Sequence, residues 1–203
     1  MTKQLVLTKS MIINSPISLY IRLRFYRAFT TYQSCHINKD DEVKSVITYF
    51  DAEKYSKMTQ MQLGEVCGVN RVTWAKHGKP LAAAKSLKCT TLEENFTLMP
   101  FTVFDAFLEW LDGVAATYHA KEALLRFYCY MYFHAAFYQG QFQNSQTNIA
   151  IELGTTAKLV GQRLKLLREN GWLRRFGTYK FGGEMNWCYK YAIPEEHQAK
   201  DIF

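Results

Sequence analysis

Residues 145–177, SQTNIAIELGTTAKLVGQRLKLLRENGWLRRFG, restrict the possible folds more than any other part of the chain. Ile149, Ile151 and Leu153 alternate as in a strand, but Ala150 and the spacing to Leu153 also fit one helical face. Gly154 breaks the pattern where a helix ends and the backbone bends. Thr155 and Thr156 follow, and a hydroxyl there can accept from the amides that open a new helix. From Ala157 onward, Val160, Leu164 and Leu167 fall on one buried helical stripe. Asn170 and Gly171 supply the stop signal. The stretch therefore predicts two short helices, a glycine bend between them, and a basic strand behind.

Composition bounds the rest. With 203 residues, 48% of them hydrophobic and 15% aromatic, the chain can bury one large core or two small ones. Basic residues exceed acidic ones by 25 to 18, which suits an anionic partner without requiring one. The location of the charge says more. Residues 155–180 hold Lys158, Arg163, Lys165, Arg168, Arg174, Arg175 and Lys180 against Glu169 alone, a local excess of six. The five cysteines (Cys35, Cys67, Cys89, Cys129 and Cys188) are spaced 32, 22, 40 and 59 residues apart, with no CxxC pair. That spacing predicts reduced, mostly buried thiols in a cytosolic protein, and neither a zinc site nor a disulfide framework. The N-terminal run lacks the long apolar region and cleavage site of a secretion signal. Residues 123–138, ALLRFYCYMYFHAAFY, come closest to a membrane span but are too short and carry Arg126 and His134. A buried core helix is the reading.

Upstream, residues 17–34 predict an aromatic amphipathic helix after Pro16 with Ser15 as its cap. Residues 36–57 are mixed and charged and predict a loop-rich segment with a short strand at 46–50. In residues 58–80, Gly68 and Asn70 can be set against Gly154 and Thr156, which places Trp74 on Val160. This is a second helix–turn–helix pattern, degenerate because Gly78 and Pro80 end its second helix after two turns. Residues 81–100 predict a short helix and then a hairpin around Glu94 and Asn95. Residues 102–119 and 121–138 predict two hydrophobic helices forming a packing layer between the two patterns. An aromatic helix with LRFYRAF precedes the first pattern and one with LRFYCYMYF precedes the second, so the order reads as duplicated.

After Gly171, WLRRFGTYKFGGEMNWCYKYAI predicts strands at 172–176 and 187–193, joined by a segment with Gly177, Gly182 and Gly183. Residues 121–193 as a whole resemble the winged helix-turn-helix superfamily, about a third of the chain. The resemblance implies a fold that is mainly α with small β-hairpins (α+β): tandem winged units around an aromatic helical core. The units would be 1–100, with the degenerate motif at 58–80, and 101–203, with the motif at 146–170 and the wing at 172–193. It implies double-stranded DNA as partner, with Lys158, Gly161, Gln162 and Lys165 on the outward helical face. Glutamine can bond adenine and lysine can reach guanine or phosphate, while Gly161 would allow close backbone approach. Thr155 and Thr156 would take a phosphate, and Arg174, Arg175, Tyr179 and Lys180 would hold the wing on the flanking backbone. The first motif offers Asn70, Arg71, Val72, Lys76 and Lys79, either as DNA contacts or as parts of a unit that only packs.

Catalysis is not expected. No phosphate-binding GxxxxGK[ST] loop, HxH, HExxH or carboxylate cluster is present, and neither metal nor cofactor is implied. The expected protein is a cytoplasmic, sequence-specific DNA-binding regulator, a monomer with internal pseudo-symmetry or a dimer. A plasmid or phage replication-initiation or conjugative DNA-transfer accessory protein, and an adaptor that binds protein instead of DNA, are the alternatives.

Overall fold

Aromatic side chains dominate the helix-forming sequence, and they organise the packing of the first half. The computed structural model describes residues 3–40, 42–90, 95–137, 144–181, 184–191 and 194, with the side chains at 136–137, 176 and 178–191 outside the description. The architecture is α+β, helices with small antiparallel sheets. Two compact units divide the chain, Met1–Arg126 and Phe127–Phe203, so the division falls later than residue 100.

In the first unit, β1 (Gln4–Thr8) leads through the short α1 (Lys9–Ile13) to α2 (Leu19–Phe29). Ser18 rather than Ser15 caps α2, its hydroxyl accepting the Ile21 N–H at 3.2 Å. The helix stops at Phe29 because Thr30 turns extended and opens β2 (Thr30–Ile37), which pairs with β3 (Val43–Phe50). Residues 36–57 are therefore not loop-rich. Val46, Thr48 and Phe50 alternate inward along β3 and Asp51 caps α3 (Ala52–Ser56). Next come α4 (Gln60–Val66), α5 (Arg71–His77), a 3-10 turn (Lys79–Ala83), β4 (Ser86–Thr90), β5 (Phe96–Pro100) and α6 (Phe101–Val114). Phe25 of α2 lies at the centre of this packing. Its ring is stacked on Trp74 at 6.0 Å and lies 5.2 Å from Tyr55 and 4.8 Å from Phe29.

The hairpin expected around Glu94 and Asn95 centres on residues 91–94, which lie outside the described residues, and the strands on either side of them do not pair with each other. β4 pairs with β3, Cys89 opposite Val46, and β5 pairs with β1, Leu98 opposite Val6. Val6, Val46 and Cys89 share one buried cluster with Leu87, Phe96 and Leu98 around it. Burying that cluster selects the distant partners over the adjacent one. α6 is tied to α2 by Arg27, whose guanidinium meets Asp105 at 2.7 and 2.8 Å.

α7 (Tyr118–Phe137) begins in the first unit and continues into the second. From Phe127 to Phe133 every residue is buried, as a core helix requires. α8 (Gln146–Glu152), α9 (Ala157–Glu169) and the hairpin of β6 (Leu173–Phe181) with β7 (Glu184–Tyr191) complete the second unit. Trp172 is fully buried at the junction of α9 and β6, edge-on to Tyr128 at 5.7 Å. The Tyr130 hydroxyl donates to Glu152 at 2.9 Å and ties α7 to α8. The hairpin strands exceed the lengths expected from sequence. Gly177 lies within β6 at a register shift after Arg175, while Gly182, Gly183 and residues 192–193 lie outside the described residues. Among the described residues no helix is long and apolar enough to cross a membrane.

The start of α2 is closed by a distant carboxylate. Glu122 of α7 accepts the Ser18 hydroxyl at 2.7 Å and the amides of Leu19 and Tyr20 at 3.1 and 2.8 Å. Arg126 holds the same carboxylate at 2.5 Å. Free helix-end amides need such partners. Because hydrogen bonds to charged groups contribute roughly 1.5–3 kcal/mol, Glu122→Ala is expected to cost about 2 kcal/mol. Urea unfolding reads this directly, and a loss below about 0.5 kcal/mol would show that water replaces the carboxylate without penalty.

Candidate nucleic-acid interface

The α8–α9 pair is assembled from local signals. Ser145 caps α8, accepting the Asn148 N–H, and Thr156 caps α9, accepting the Leu159 N–H at 3.3 Å. Between them Gly154 takes a φ of +60°, a left-handed conformation that side chains with a Cβ resist. Its turn is locked when the Thr155 N–H reaches back to the Ala150 carbonyl at 2.9 Å. Val160, Leu164 and Leu167 are buried as the stripe predicts, and Gly171 ends the helix at a φ of +76°.

The opposite face of α9 carries Lys158, Gln162 and Lys165, all exposed. Lys165 lies 3.8 Å from Glu169, an exposed pair that a stronger anion can displace. Arg163 is withdrawn from this set. It is half-buried with its guanidinium 5.9 Å from the centre of the Phe127 ring, and burial lowers its pKa, though a guanidinium stays charged at any physiological pH. Arg174 and Arg175 are exposed at the start of β6, where Arg174 pairs in register with Lys190. Tyr179 and Lys180 lie opposite Asn186 and Met185 in the ladder, but their side chains fall outside the described residues.

Local bonds engage both threonines at the start of α9. The Thr155 amide is spent on the turn, and Thr156 is exposed but uses its hydroxyl as a cap, so neither group points freely at a phosphate. Gly161 is half-buried at the crossing of α8 and α9, where a Cβ would come 2.9 Å from Gln146 Oε1. The atom it would meet is the end of a flexible side chain, not backbone. Gln146 is thus part of this surface, and the only sequence signal for it is a glycine in mid-helix.

The α4–α5 pair repeats the same construction at a constant separation of 86 residues, from Gly68 to Gly154. Thr59 caps α4 as Ser145 caps α8, and Asn70 caps α5 as Thr156 caps α9. Gly68 has a φ of +68°, and the Val69 N–H bonds the Gly64 carbonyl at 2.9 Å, matching Thr155 and Ala150. Trp74 is buried where Val160 is, as the register predicts. Beyond that point the pairs diverge. α5 stops after His77, Gly78 lies under the Trp74 ring with no room for a Cβ, and Leu81 of the 3-10 turn supplies the last buried contact. Arg71, Val72, Lys76 and Lys79 are exposed, whereas the Asn70 side-chain Oδ1 accepts the Thr73 N–H at 2.8 Å.

No His, Cys, Asp and Glu grouping among the described residues could hold a metal ion. Burial pushes the Cys67 thiol up to about 12, far from a reactive thiolate. No family model, curated protein or solved structure matches the chain.

The two glycines of the α8–α9 pair should respond oppositely to alanine. Gly154→Ala should cost about 1–2 kcal/mol through its left-handed φ. Gly161→Ala should raise stability by up to about 1 kcal/mol through helix propensity, since only the end of the flexible Gln146 side chain must move. Thermal and urea unfolding of both variants provides the check.

Proposed function

We propose that the chain binds double-stranded DNA in a sequence-specific manner as a winged helix-turn-helix protein, with α9 in the major groove and the β6–β7 hairpin as the wing. The observation that carries this reading is the outward face of α9. Lys158, Gln162 and Lys165 project together from a capped helix, opposite a buried stripe and directly before a strand that exposes Arg174 and Arg175. Glutamine can make a paired bond to adenine N6 and N7, and lysine can reach guanine O6 and N7 or a phosphate. The arginines supply the backbone contacts that fix register but carry no sequence information. Packing of Arg163 against Phe127 removes it from the reading face and leaves three side chains for bases.

The α4–α5 pair supports a tandem arrangement in which one polypeptide carries two DNA-reading helices, so that a monomer can occupy a site that single-motif proteins fill as dimers. Non-enzymatic transcriptional regulation in the cytoplasm is the role this reading favours. The 86-residue repetition also supports a second reading, a replication-initiation or DNA-transfer accessory protein that binds repeated sites. Operators at promoters mark the first role, and repeats at an origin or transfer origin the second.

Selection from a random duplex pool over a salt series tests the reading, with the wild type compared to Lys158→Ala/Gln162→Ala/Lys165→Ala. The wild type is expected to enrich a motif and to show a log–log salt slope of about −0.9 per phosphate neutralised. The triple variant should lose the motif and at least about tenfold in affinity, since one good base contact contributes roughly 1–3 kcal/mol. Equal selection by both proteins would move the reading away from α9, and no duplex binding at low salt would favour a protein-binding adaptor.

A further inference from the structure

The two helix pairs share one backbone plan but present different chemistry at matching positions. The constant separation of 86 residues places Val72 and Lys76 on Lys158 and Gln162. In α5, Val72 and Lys76 lie at the centre of the outward face, as Lys158 and Gln162 do in α9, because Trp74 and Val160 mark the buried side; Lys79 follows in the 3-10 turn after α5 has ended. Val72 is the anomaly. It is 76% exposed, although a branched apolar side chain gains nothing from water and is a mediocre helix former. Its surroundings are cationic, with Arg71, Lys76 and Lys79 all exposed beside it. An apolar tip flanked in sequence by cations suits a surface that meets bases and phosphates through its charges and a methyl group through the tip. Thymine is the base that displays a methyl group in the major groove.

Resting on the DNA-binding reading above, we propose that α5 is a second base-reading helix with a specificity of its own, in which Val72 packs on the 5-methyl group of a thymine. The DNA site is consequently asymmetric. One part is read by Gln162 and two lysines through hydrogen bonds, and the other by Val72 through apolar contact with Lys76 and Lys79 alongside. Asn70 takes no part, since its side chain closes the helix.

Replacing thymine by uracil deletes only that methyl group and leaves the groove's hydrogen-bonding pattern intact, so the test uses the full-length protein on its selected duplex with each dT changed singly to dU. The subsite of α5 is located as the bases whose selection is lost in Lys76→Ala, and that of α9 as those lost in Gln162→Ala. In the α5 subsite, dU should weaken wild-type binding about fourfold, the equivalent of one buried methyl group. Val72→Ser should bind the dT and dU duplexes equally there, while any dU effect in the α9 subsite remains as in the wild type. Because Val72 is exposed, the variant's unfolding midpoint should match the wild type's. Intact binding in which Val72→Ser still discriminates dT from dU as the wild type does, or in which no base depends on Lys76, overturns this proposal and leaves the α9 reading standing. Absence of duplex binding by the wild type overturns both, and assigns the exposed valine to a protein contact.

Discussion

A left-handed glycine at the bend of each helix pair is the constraint on which the rest depends. Gly68 and Gly154 adopt φ values of +68° and +60° and let the chain reverse in three residues. The following amide then reaches back to the first helix, Val69 to Gly64 and Thr155 to Ala150, and fixes where the second helix begins. Once Asn70 or Thr156 has capped that start, the rotation of the second helix about its axis is set, and with it the identity of the buried and exposed faces. In α9 this puts Val160, Leu164 and Leu167 inside and leaves Lys158, Gln162 and Lys165 outside. The chemistry of the exposed face follows from the geometry of the bend.

Packing then makes the two pairs unequal. Along α9 a stripe of three aliphatic residues, Val160, Leu164 and Leu167, fills the core and the helix runs on to Glu169. In α5 a single indole does much of this, lying over Gly78 and stacking with Phe25, so the helix can stop after two turns. The aromatic residues of α2 serve the same economy, gathering Phe50, Tyr55 and Trp74 around one ring. The strands around the two pairs also differ. β6 and β7 are neighbours in sequence and form a hairpin, whereas β4 joins β3 and β5 joins β1.

Local features were legible in the sequence. The caps at Asn70 and Thr156, the bends at Gly68 and Gly154, the buried stripe of α9 and the equivalence of Trp74 with Val160 all follow from neighbours a few residues apart. Features set at long range were not. The pairing of β3 with β4 and β1 with β5 depends on Val6, Val46 and Cys89 meeting in one cluster, and no local pattern encodes that meeting. Local sequence points to Ser15 and not to the Ser18 cap, because the reinforcement of Ser18 comes from Glu122, 104 residues away. Gly161 is legible as unusual but its surroundings are not, since its neighbour Gln146 belongs to another helix. For the candidate surface, residue type and helical period sufficed for Lys158, Gln162 and Lys165. They could not show that Arg163 packs on Phe127 or that the Thr155 amide belongs to the turn.

The account therefore stands on α9 entering the major groove with its exposed face toward the bases. Methylation interference at guanine N7, an atom displayed only in that groove, tests this most directly on the duplex the protein selects. The account predicts that methylation within one short tract blocks binding by the wild type, and that the block at one or more of those guanines disappears in Lys158→Ala or Lys165→Ala. Binding indifferent to every major-groove methyl group, yet abolished by adenine N3 methylation in the minor groove, would contradict it.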